Sequence, residues 1–62
     1  MTVLEYVRKH QMEISTFLIM DLESNVILGT VKNGNVDWSV KDYTVINAEL
    51  HPYKEHAMIL YV

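Results

Sequence analysis

The sequence predicts an α+β protein: an N-terminal helix packed on a mainly antiparallel four-stranded sheet, as a single small domain over residues 1–62. Three observations carry this. A capping pattern followed by apolar residues at helical spacing opens the chain. Four aliphatic, β-branched runs follow, "STFLIMDL", "VILGTVK", "TVINAEL" and "AMILYV", separated by polar breaks. No second helical pattern interrupts them, and strands joined by short turns favour an antiparallel sheet.

The helix is "TVLEYVRKHQ". Thr2 and Glu5 form T-x-x-E, in which the threonine oxygen accepts from the Glu5 amide and the glutamate accepts from the Thr2 amide. Val3, Leu4 and Val7 share one face, flanked by Tyr6. Arg8, Lys9 and His10 fall in the last turn, where positive charge suits the helix dipole. That placement accounts for the basic triplet without a nucleic-acid patch.

The first two strand runs bracket "ESN" and read as a hairpin, with Asn25 the residue suited to a left-handed backbone. Gly29 inside the second run signals a bulge or a close backbone approach. "NGN" at 33–35 is a turn. "VDWSVKDY" alternates weakly and carries three charges. A short strand, a crossing loop and a helical turn all fit it, and a loop crossing the sheet edge fits best. "TVINAEL" then alternates, with Ile46, Ala48 and Leu50 on one side.

The last two strands flank "HPYKEH". Proline cannot donate to a ladder and begins turns readily. A loop over Pro52 to His56 sets His51 opposite Ala57, Leu50 opposite Met58, Ala48 opposite Leu60 and Ile46 opposite Val62. The six apolar members then share one face, and a one-residue slip would mix them with Asn47 and Glu49. The helix stripe is expected to pack on that set.

His51 and His56 invite a metal reading, with Glu49 or Glu55 as a carboxylate ligand. A structural zinc site wants four ligands and a catalytic one three plus water. H-x4-H matches no helical metal motif. Solvated turn histidines are the simpler reading, and no metal or cofactor is expected. Catalysis is not expected either. Ser15, Ser24 and Ser39 lack a G-x-S-x-G context, and Gly29 and Gly34 form no phosphate loop.

Composition narrows the partners. There is no cysteine, which excludes disulfides and thiolate zinc sites. A chain this short buries only about 60% of its unfolded surface, so oligomerisation gains weight. Half the residues are apolar and the net charge is −3, which opposes both disorder and a phosphate-backbone partner. No stretch approaches the roughly 20 apolar residues of a membrane span. "MTVLEYVRKHQ" lacks the pattern of a secretory signal. A cytoplasmic protein that binds neither nucleic acid nor membrane is expected.

The informative feature is surplus apolar surface. "TFLIM", "VILGTV" and "AMILYV" are apolar on both faces, whereas a half-solvated antiparallel sheet alternates. One helix covers one face. The segment around Trp38, a second copy of the chain or another protein is left to cover the other; toleration of some exposed apolar surface is the bland alternative. Phe17, Ile19, Trp38, Ile59 and Tyr61 are the candidate protein-interface residues. Leu18 and Met20 replace Phe17 and Ile19 if the first strand takes the other register. For Trp38, a lid on the domain's own core is an equal alternative. The expected function is a non-enzymatic protein-interaction module, a homodimer or one that docks on a protein partner through an apolar sheet face.

The stretch "DYTVINAEL … MILYV" resembles small proteins of Firmicute phages and mobile elements. These open with one helix and close with two strands of this kind. The shared pattern is D-x-x-V-x-x-A, here Asp42, Val45 and Ala48, ending on alternating aliphatic and tyrosine residues. It covers the last third of the chain by motif and the remainder by layout. The resemblance implies a bacterial or phage accessory product that acts by binding. It adds an alternative function, a phage-type inhibitor or modulator of a host enzyme.

Overall fold

The computed structural model describes residues 1–33, 35 and 39–62. Helix α1 covers Val3–His10, followed by strands β1 (Thr16–Met20), β2 (Ile27–Lys32), β3 (Asn47–Leu50) and β4 (Ala57–Tyr61). The sheet order is β2-β1-β4-β3. The β1–β2 and β3–β4 hairpins are antiparallel, and β1 and β4 run parallel where the hairpins meet. The fold is therefore α+β with a mixed, mostly antiparallel sheet. Its centre is a pairing between the first and last strands that no local pattern announces.

The helix starts as its capping pattern requires. The Glu5 amide donates to Thr2 Oγ1 at 3.2 Å, and the Thr2 amide donates to Glu5 Oε1 at 2.8 Å. Two further first-turn amides find partners in the crossing segment: Val3 N–H donates to the Tyr43 carbonyl (2.9 Å) and Leu4 N–H to that of Lys41 (3.1 Å). Donors orphaned at a helix start are thus bonded, and the same bonds fasten residues 41–43 beside the helix. The Thr2 amide, followed by its side chain, holds the Glu5 carboxyl below its ordinary value.

Register assigns each side chain to a face. Phe17 pairs with Val31 and Met58, and Ile19 with Gly29 and Leu60. Ala48 pairs with Leu60, and Leu50 with Met58. These residues face α1, and the core joins Val3, Val7, Ile14, Phe17, Ile19, Val31, Val40 and Leu60. The ladder between β1 and β2 shifts between Ile19 and Met20, so Leu28 is the extra residue beside Gly29. The bulge expected from Gly29 is present. Asn25 is left-handed at φ 58°, as its turn position predicts.

The second hairpin has the predicted register: His51 N–H donates to the Ala57 carbonyl, and Leu50 and Ala48 oppose Met58 and Leu60. The expected packing of that set on the helix holds only in part. Met58, Leu60, Ala48 and Val62 reach the core, whereas Ile46 is 63% exposed and Leu50 70% exposed. The reason is position: β3 is an edge strand, and α1 and Val40 cover the middle of the sheet. Val45 packs on the core instead of Ile46, because it precedes β3 and is held by its amide bond to the Met1 carbonyl (2.9 Å).

Residues 39–43 form turns, in keeping with the loop reading for the described part of that segment; residues 36–38 lie outside the described residues. Val40 enters the core beside α1, and Thr2 forms a bridge with Thr44. The helix and the described part of the crossing segment therefore cover the same face of the sheet.

Leu60→Ala should lower unfolding free energy by about 2–5 kcal/mol, a large share of the roughly 3–9 kcal/mol typical for this length. Leu50→Ala, on the same face but at the edge, should stay within about 0.5 kcal/mol in the same urea titration. For the capping box, the depressed Glu5 pKa means stability that is present above the ordinary carboxylate value and is lost as pH falls through the folded one. Glu5→Gln, which removes the titrating carboxyl, should flatten that acid-side decline in the urea midpoint.

Candidate functional site

The face opposite α1 is built from alternate residues of the four strands. Across β2, β1, β4 and β3, one row is Ile27, Met20, Tyr61 and Asn47. The next is Thr30, Leu18, Ile59 and Glu49. The third begins Lys32, Thr16 and Ala57, with His51 beyond β3. The two central columns are mainly apolar, while the edge columns hold Thr30, Lys32, Asn47 and Glu49, with Ile27 the apolar member of the rim. An apolar centre inside a polar rim is the anatomy of a protein interface.

Burial on this face is graded. Leu18, Met20 and Tyr61 are half-buried, and Ile27 is 57% exposed. Ile59 is only 9% exposed and Ala57 3%, although both face away from the helix. Tyr61 explains part of this. Its hydroxyl donates to Glu49 Oε1 at 2.6 Å, and Glu49 pairs with Ile59 rather than with Tyr61. The tyrosine side chain must therefore lean diagonally across the strands beside Ile59. The bond to Glu49, then desolvation, then the carboxylate charge raise the phenol above its ordinary pKa.

Of the interface residues expected from sequence, Ile59 and Tyr61 lie together on this face. Phe17 and Ile19 do not: both are fully buried at 0% exposure under α1. Their places are taken by Leu18 and Met20, the other register of the first strand. Both faces of "TFLIM" are apolar, so the period-two pattern carries no information on which one meets the helix. Trp38 lies outside the described residues.

The histidines of "HPYKEH" build turns. His51 is half-buried rather than merely solvated, and its Nδ1 accepts from the amides of Tyr53 and Lys54, both at 3.1 Å. An imidazole at this place does the work of an Asx side chain. His56 is left-handed at φ 55°, and its carbonyl accepts from the amides of Ser15 (2.9 Å) and Thr16 (3.3 Å) and from the Ser15 hydroxyl (3.3 Å). His10 stacks on Tyr6, with centroids 4.4 Å apart. Among the described residues no group of three or more His, Cys, Asp or Glu side chains is placed to hold a metal ion. A shallow, open depression lies by Ser39, Asp42 and Tyr43, where Lys41 pairs with Asp42 at 3.1 Å. No helix among the described residues is long and apolar enough to cross a membrane.

No family model, curated protein or solved structure matches the chain.

The Tyr61–Glu49 bond contributes stability that is fully present below the ordinary tyrosine value of 10.0 and is lost as pH rises through the folded pKa. Glu49→Gln removes the charge, so an ultraviolet titration of the phenols should show Tyr61 ionising at lower pH than in the parent. For the turn, His51→Ala should cost about 0.5–1.5 kcal/mol by thermal or urea unfolding. His51→Asn, which keeps an acceptor at that place, should recover most of it.

Proposed function

We propose that this protein is a non-enzymatic interaction module that docks on a protein surface through the open face centred on Leu18, Met20, Ile59 and Tyr61. The observation that supports this most is the one-sidedness of the cover. α1 and residues 39–46 lie on the same face, while both central strands are apolar on the other. The polar edge columns add the rim that a specific interface needs. The functional groups that stand out are engaged in the fold: His51 in its turn and Tyr61 with Glu49. A net charge of −3 favours a protein over a nucleic acid as occupant.

Magnitudes place the affinity. Full burial of a large apolar side chain contributes roughly 1.5–3 kcal/mol. Association costs an estimated 4–15 kcal/mol in lost freedom. With Ile59 already nearly buried, the remaining centre and its rim support binding of modest strength.

A photo-crosslinking residue at position 18, compared with one at the exposed helix position 8, tests the reading in the cell that makes the protein. Discrete adducts from position 18 and none from position 8 are expected. Equal or absent adduct formation at the two positions would overturn it. A host enzyme recovered as the position-18 adduct would identify the module as a modulator of that enzyme.

A further inference from the structure

We infer that the occupant of the open face is a second copy of this chain, stacked face to face about a two-fold axis parallel to the strands. The inference rests on the docking reading above and names its partner. Its basis is the self-complementarity of the rows. An axis along the strands exchanges β1 with β4 and β2 with β3 between copies. Leu18 of one copy then lies over Ile59 of the other, and Met20 over Tyr61. At the rim Thr30 meets Glu49, and Lys32 reaches the same carboxylate from the neighbouring row. A carboxylate that already accepts from one phenol has capacity for these further donors.

The alternative axis, across the strands, fails on charge. It sets each column against itself in reverse order. Glu49 then meets Glu49, and Lys32 lies on Ile27. Like charges repel, and an ammonium loses solvation on an aliphatic side chain. Stacked sheets hold their strands within about 30° of one another, which the long Lys32 side chain accommodates.

Area sets the strength. Four strands at about 4.8 Å spacing and five residues at about 3.3 Å rise outline a face of about 19 by 16 Å. That falls well short of the roughly 800 Å² per partner of a standard interface. The dimer is therefore weak and concentration-dependent, which suits an assembly regulated by abundance.

Sedimentation equilibrium at low ionic strength, over protein concentrations up to about 1 mM, tests this. The parent should shift from monomer to dimer. Lys32→Glu and Glu49→Lys should each weaken association about tenfold. An equimolar mixture of the two should recover it, because every rim contact in the mixed dimer again joins opposite charges. Thr30→Lys should strengthen the dimer and Thr30→Glu weaken it, and this exposed pair stays informative if Glu49→Lys disturbs the fold. Cooperative unfolding of each variant serves as the control. A parent that is monomeric throughout, a dimer that ignores all four charge changes, or one that survives Leu18→Glu would overturn the inference. The crosslinking experiment then separates the two claims. Adducts from position 18 to a different protein leave the docking reading standing without the second copy, and the absence of adducts removes both.

Discussion

The parallel pairing of β1 with β4 is the constraint on which the rest of the structure depends. It joins the two hairpins and makes the two most apolar runs the centre of the sheet. The pairing is held at both ends. The His56 carbonyl gathers the start of β1, and the Val62 amide donates to the Met20 carbonyl while Val62 accepts from Leu22. Strands with polar alternation are left to the edges, where Thr30 and Lys32 on β2 and Asn47 and Glu49 on β3 meet water. Edges of this kind resist further strand addition, helped on β2 by the bulge at Leu28.

From that centre the one-sided core follows. Among the described residues, one eight-residue helix and the segment 39–46 are the cover. The amides of Val3 and Leu4 tie the two together, so they cannot be divided between the faces. One face becomes a core from Val3 and Val7 down to Phe17, Ile19 and Leu60. The other keeps Leu18, Met20 and Tyr61 half-buried. The same bonds that complete the helix start thereby leave an apolar surface on the far side of a domain whose stability is small to begin with.

What the sequence disclosed depended on how far apart the interacting residues lie. The capping box, the left-handed Asn25, the bulge near Gly29 and the register of the second hairpin all rest on local chemistry, and all were legible. The β1–β4 pairing joins residues far apart in the chain, such as Phe17 and Met58, and leaves no local mark. Face assignment failed where alternation was absent: Phe17 and Ile19 had no polar neighbours to orient them. Leu50 lies on the expected face but at an edge that the helix does not reach, and Val45 takes the core place expected of Ile46. The Tyr61–Glu49 bond was within reach, since the hairpin register sets those residues one step apart on a shared face. The bonds to His51 Nδ1 were hidden because histidine is an uncommon substitute for Asn or Asp in a turn.

The central claim is that, among the described residues, the chain covers one face of the sheet and leaves the other without a covering element. Solvent paramagnetic relaxation of methyl signals, recorded on dilute protein, tests this most directly. Leu18 and Met20 methyls should broaden strongly with a soluble paramagnetic probe, while those of Ile19, Leu60 and Val7 stay sharp. Equal protection of Leu18 and Ile19 at every dilution would mean that the chain covers both faces, and would contradict the one-sided cover.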